Sequence, residues 1–193
     1  LYIDAPTAPN EESQYSAYKK AAESFPEGFV ILRTLDIGGD KSVPSISISV
    51  EDNPFLGYRA VRILLDQPEL LRAQLRAAYR ASAHGTVRIM FPMISGPNEI
   101  VRIREACDQV ITELQNEGER VDAAAEVGVM VEIPSAVFMA NEIMELVDFV
   151  SIGTNDLTQM TYGLSRDDAG RFMSAYVQQG VFPEDPFHSL DVD

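Results

Sequence analysis

The sequence predicts an α/β fold of the (β/α)8 TIM-barrel type, present as an incomplete barrel with about five of the eight strands. Three observations predict it. Short apolar runs alternate with longer stretches of helical period. Each apolar run opens into a polar loop before the next helix, the order that builds a parallel sheet with its helices outside. The chain opens on Leu1-Tyr2-Ile3, which reads as the tail of a strand, and stops at Asp193 soon after its fifth strand position. Residues 1–193 are therefore expected to form one barrel domain cut at both ends.

The first clear strand is Phe29 to Arg33, and its loop, Asp36 to Pro44, carries Gly38-Gly39-Asp40-Lys41. After an irregular stretch to Pro54, apolar positions at Val61, Leu64, Leu71, Leu75 and Ala78 predict helix from about Tyr58 to Ser82, with Pro68 starting a second segment. Val87 to Phe91 is the next strand, followed by Pro92 and a helix from about Pro97 to Gly118. Val127 to Glu132 is a strand, Pro134 starts a helix to about Leu146, and Val147 to Ile152 is a strand that ends abruptly in a small polar loop. Ser165, or Asp167 or Asp168, is the expected N-cap of a helix over 169–176.

Composition narrows the function. The 46% hydrophobic content is ordinary for a globular fold, and no apolar run approaches the roughly 18 residues that span a bilayer. A formal charge of −15 argues against nucleic acid or an anionic membrane as a partner held by bulk attraction, so an anionic substrate must be gripped locally. Lys19, Lys20 and Lys41 are the only lysines among 15 basic residues, and the arginine surplus suits either forked recognition of phosphate or a simple composition bias. Cys107 is the single cysteine, which excludes an intramolecular disulfide, and its helical spacing with Ile100, Ile103 and Ile111 places it in helix core. His84 and His188 have no acid or nucleophile at a spacing that makes a triad or zinc site. With no basic, apolar leader at the N-terminus, a cytoplasmic protein is expected.

Chemistry-bearing residues collect where the strands finish. Arg33 ends one strand, Glu132 ends another, and Asn155 with Asp156 follow a third. Neighbouring strands lie about 4.8 Å apart, so Glu132 and Asp156 can share an ion, with Mg²⁺ or Mn²⁺ relieving their repulsion. The alternatives are an Asx-turn at Asn155-Asp156, an arginine salt bridge for Glu132, and Asp36 or Glu132 as the partner of Arg33. Arg59 follows the rigid turn Asn53-Pro54-Phe55 into the first turn of a helix, where a bound anion would account for a cation. Arg166 is left to point at a ligand, while Arg62, Arg72, Arg76 and Arg80 read as helix-surface residues.

Five segments together resemble one family in order and spacing. They are Arg33-Thr-Leu-Asp-Ile-Gly-Gly-Asp-Lys41, Glu51-Asp-Asn-Pro-Phe-Leu-Gly-Tyr-Arg59, Arg88-Ile-Met-Phe-Pro-Met93, Gly128-Val-Met-Val-Glu-Ile-Pro134 and Ser151-Ile-Gly-Thr-Asn-Asp-Leu-Thr-Gln159. They resemble the phosphoenolpyruvate (PEP)-binding domain of the PEP-protein phosphotransferases of bacterial sugar uptake, in the superfamily that includes pyruvate phosphate dikinase and PEP synthase. The segments Met160 to Asp168 and Gly180 to Phe187 look more like the dikinase.

The resemblance implies a Mg²⁺-dependent enzyme domain that passes the phosphoryl group of PEP to a histidine on a separate domain and releases pyruvate. Glu132 and Asp156 would hold Mg²⁺, with Mn²⁺ a possible substitute, and Arg33 and Arg166 would grip the phosphate. Asn155 and Asp156 would bind substrate, and Arg59 would orient it. The resemblance also implies an upstream arginine and a proton-donating cysteine beyond Asp193, a histidine-containing phosphocarrier protein as partner, and a homodimer at full length. An isolated fragment is expected to be inactive, and an inactive dimerisation module is the non-catalytic alternative.

Overall fold

A computed structural model describes residues 1–2, 7–38 and 56–189. The expected features at Ile3, Gly39-Asp40-Lys41 and Asn53-Pro54-Phe55 lie outside the described residues.

Four strands, β1 (Phe29–Arg33), β2 (Thr86–Phe91), β3 (Val127–Val131) and β4 (Phe149–Ile152), make one parallel sheet in the order β1-β2-β3-β4. This is an α/β half-barrel, with four strands among the described residues rather than about five, because the first expected strand runs into undescribed residues. Ile31 registers with Arg88, Ile89 with Val127, and Met130 with Ser151. Alternation along the strands sends Val87, Ile89, Phe91, Val127, Val129 and Val131 outward into the buried core. The opposite face is partly open, with Phe29 48% and Ile31 42% exposed. On that face the Arg88 guanidinium lies 3.9 Å from the Phe29 ring centroid and its Nε is 2.5 Å from Glu126.

The helices cover the outer face. Helices α2 (Val61–Asp66) and α3 (Pro68–Ala81) divide at Gln67, where the residue before Pro68 is driven out of helical geometry. Helix α4 (Pro97–Asn116) buries Ile100, Ile103, Cys107, Val110 and Leu114, a 3-4-3-4 spacing that gives one apolar stripe. Cys107 is 2% exposed and burial pushes its thiol up to about 11, as befits helix core. The helix expected from Pro134 divides into α5 (Pro134–Phe138) and α6 (Ala140–Met144), since the backbone leaves helical geometry at Met139, whose thioether end lies over Gly96.

Four further differences bear on the sequence reading. Helix α1 (Glu11–Glu23) precedes β1 and was not expected, because its inward positions are Gln14 and Ala22 rather than an apolar stripe. Its signal is capping: the Asn10 side chain accepts from the Ser13 N–H at 2.9 Å, with Glu11 and Glu12 in the first turn. The polar loop expected after β4 is instead helix α7 (Thr154–Tyr162), so Asn155 and Asp156 occupy a helical first turn. Ser165 does cap a helix, but a shorter one, α8 (Arg166–Ala169), followed by α9 (Met173–Gln178). Arg76 is also no surface residue, being 8% exposed with its guanidinium between Glu11 and Glu117 at 2.6 Å each.

Candidate active site

All four strands deliver side chains or backbone donors at their C-terminal ends. Glu132 directly follows β3 and is 2% exposed. Its Oε1 accepts from the Met93 N–H, just past β2, at 2.7 Å. Met93 adopts the left-handed region, φ 59°, a conformation that costs an L-residue energy and turns its N–H toward the carboxylate. The end of β4 closes against the same group. The Gly153 N–H continues the ladder to the Val131 carbonyl at 3.0 Å, and a Cβ built on Gly153 would stand 2.5 Å from Glu132 Oε2. Only glycine lets the strand pass there.

Arg59 supplies the positive charge. Its Nη2 donates to Asp36 Oδ1 at 3.0 Å and its Nη1 to Asp156 Oδ1 at 3.3 Å. Arg59 lies before α2 rather than in its first turn, because Ala60, φ 51°, is not helical and donates its N–H to the Ile37 carbonyl at 2.9 Å. Residues 36–38 thus run beside 59–60, and Gly38, φ 137°, has no Cβ where one would fall on that of Arg59.

These groups set one another's protonation. Burial pushes the Glu132 carboxyl up to about 7, against the stabilising Met93 N–H; Asp156 and Asp36 push it further, and Arg59 draws it down. Burial disfavours the Arg59 charge, yet Asp36 first, then Asp156 and Glu132, hold the guanidinium above its ordinary value. Among the described residues, three acidic groups act on this one guanidinium. Among the described residues no group of three or more His, Cys, Asp or Glu side chains is arranged to hold a metal ion. Glu132 and Asp156 are two carboxyl groups that act on each other electrostatically, and two is a number of carboxylates Mg²⁺ commonly takes from protein.

The structure therefore brings together Glu132, Asp156 and Arg59, and adds Asp36, which sequence reasoning weighed only as a partner of Arg33. The polar residue three past the end of an apolar strand was the available signal. Arg33 is exposed at the end of β1 and has no ion pair with a described residue. Asn155 is exposed and lines a groove of about 510 Å³ with Thr158, Tyr162, Phe187 and His188. Arg166 is exposed at the start of α8, its N–H donating to Gln159 Oε1 at 2.9 Å. Neither Arg33 nor Arg166 has an ion pair with Asp36, Glu132 or Asp156.

Comparison with known proteins places this geometry in a family. The model of the family "PEP-utilising enzyme, PEP-binding domain" matches residues 1–190. The chain is 47% identical over 166 residues to the phosphoenolpyruvate-protein phosphotransferases of Haemophilus influenzae and of Staphylococcus carnosus, alignments covering 86% of this chain and 29% of each relative. It is 45% identical over 169 residues to multiphosphoryl transfer protein 2 of Escherichia coli, covering 88% of this chain and 20% of that protein. The chain thus spans less than a third of the length of these relatives.

Proposed function

The chain belongs to the family of PEP-utilising enzymes, as a PEP-binding domain, and from that premise we propose that it holds PEP and Mg²⁺ for a phosphotransferase. The phosphoryl group moves to a histidine on a separate domain: the bond from phosphorus to the enol oxygen breaks, a bond to the histidine nitrogen forms, and protonation of the enolate carbon releases pyruvate. The single observation that carries the reading is the convergence of Glu132, Asp156 and Arg59 at the C-terminal ends of the strands. No helix of the described residues is long and apolar enough to cross a membrane.

Glu132 and Asp156 are the residues that would hold the metal, which when bound offsets charge on the phosphate oxygens. Arg59 orients the substrate anion, while Arg33 and Arg166 approach the phosphate and Asn155 donates its amide to it. Such a transfer depends on positioning and charge rather than on a protein nucleophile in this chain. The proton donor to the enolate is a cysteine outside this chain. Cys107 is excluded from that role by its burial in α4. A histidine-containing phosphocarrier protein, a homodimer and a cytoplasmic setting belong to the same reading. The phosphotransferase names of the matched relatives support it over a dikinase or synthase.

The test is a calorimetric titration of PEP into the polypeptide at its full length, with and without Mg²⁺, in wild type, Glu132→Gln and Asp156→Asn. Both variants are expected to lose metal-dependent binding by about 10- to 100-fold. Retention of metal-dependent binding in both would overturn the assignment.

A further inference from the structure

We propose that Asp36 is a positioning residue of this site, acting through Arg59: it keeps the guanidinium in place when Asp156 gives up Arg59 for a divalent cation. The inference rests on the PEP and metal reading above.

The two carboxylates that flank Arg59 are not equivalent. Asp36 is the closer and drier partner, at 3.0 Å with its side chain 9% exposed, whereas Asp156 is at 3.3 Å and 28% exposed. Asp36 is also rigidly carried. On its N-terminal side the Thr34 N–H donates to the Met90 carbonyl and the Leu35 N–H to Gln74 Oε1, both at 2.9 Å. On its C-terminal side the Ile37 carbonyl accepts from Ala60, and Gly38 fits directly against Arg59. Asp156 instead rides on the first turn of α7, whose N-terminal residue Thr154 is exposed.

Charge gives the arrangement its purpose. A metal held by Glu132 and Asp156 competes with the guanidinium for Asp156, and a released guanidinium next to a divalent cation repels it. Asp36 supplies a second anchor, so that Arg59 retreats from Asp156 without leaving the site. Among the described residues, Asp36, Glu132 and Asp156 set three acidic groups against the one guanidinium of Arg59.

Mn²⁺ alone is the probe, its binding to the full-length polypeptide followed by electron paramagnetic resonance in wild type, Asp36→Asn, Arg59→Gln and the double variant. Asp36→Asn is expected to weaken Mn²⁺ binding about tenfold, within the range for neighbours in one ion-pair network. In the Arg59→Gln background the same change is expected to do nothing. An equal loss in both backgrounds would mean that Asp36 acts by its own charge and would overturn the proposal, as would unchanged binding in Asp36→Asn. Asp36→Glu keeps the charge but lengthens the arm, and is expected to bind Mn²⁺ more weakly than wild type; wild-type binding there also overturns the proposal. A wild type that binds Mn²⁺ neither alone nor with PEP would sink the metal reading itself, an outcome distinct from an additive cycle in a protein that binds both.

Discussion

Arg59 and Asp156 stand 97 positions apart in the chain, yet Nη1 of one lies 3.3 Å from Oδ1 of the other. The contact joins the segment before α2 to the first turn of α7, across the C-terminal ends of β1 and β4. Because the Asp36 side chain is only 9% exposed, loss of the guanidinium would leave its buried charge without this partner. Arg59→Met is therefore expected to cost about 3–5 kcal/mol in urea unfolding. Arg59→Lys, a point charge that cannot fork to both carboxylates, should recover only part of that. Equal stability of wild type and Arg59→Met would show that the pair contributes nothing.

Glu132 predicts a pH dependence of defined sign. Its carboxyl is raised from 4.5 to about 7 by burial above all, so between those values the folded state binds the proton more tightly than the unfolded one. Its contribution to stability is fully present below the unfolded value and is lost as pH rises through about 7, by about 3 kcal/mol without metal. Glu132→Gln should remove that slope in urea midpoints taken from pH 4.5 to 8. Metal binding releases the proton, so Mg²⁺ affinity should rise with pH and level off above about 7. Identical slopes in wild type and variant would refute the assignment.

The apolar pattern made strands β1 to β4 and helices α3 and α4 legible, since their core positions repeat at the periods of two and 3.6 that periodicity detects. Glu132 was legible for the same reason, as a carboxylate after an unbroken apolar run. Helix α1 was not, because its fully buried positions are only Gln14 and Ala22, too few and too mixed in polarity to make an apolar stripe. Asp36 was hidden because its partner is Arg59, 23 positions away, and periodicity carries no information about which arginine reaches which acid. The helical first turn holding Asp156 was hidden by its own residues, Thr154 and Asn155, which favour turns and caps as readily as helix.

Gly153 tests how tightly the site is built. An added Cβ would stand 2.5 Å from Glu132 Oε2, 2.6 Å from Glu132 Cβ and 3.0 Å from the Met130 sulfur. Gly153→Ala must therefore displace the carboxylate or bend the end of β4, at about 1–3 kcal/mol, and should weaken Mn²⁺ binding along with stability. Gly170→Ala is the control, since nothing lies within 4 Å of a Cβ there. A Gly153→Ala protein with wild-type melting and metal binding would show that this approach is looser than the structure has it.

Gln74 links the outer helices to the site. Its Oε1 accepts from the Leu35 N–H at 2.9 Å, its Nε2 donates to the Tyr18 hydroxyl at 3.1 Å, and Tyr18 donates to Gln14 Oε1 at 3.2 Å. Gln74 is 5% exposed and Leu35 6%, so Gln74→Leu leaves a buried backbone N–H without its partner, a cost of about 1–3 kcal/mol. Because Leu35 directly precedes Asp36, the same change should loosen the Asp36 anchor and weaken Mn²⁺ binding several-fold. Gln74→Glu keeps an acceptor for Leu35 and should restore most of the binding. Tyr18→Phe cuts the network only beyond Gln74, so it should lower the unfolding free energy in urea by about 1 kcal/mol while leaving Mn²⁺ affinity as it is. A Tyr18→Phe loss in affinity equal to that of Gln74→Leu would mean that α1, rather than the Leu35 hydrogen bond, sets the position of the acid.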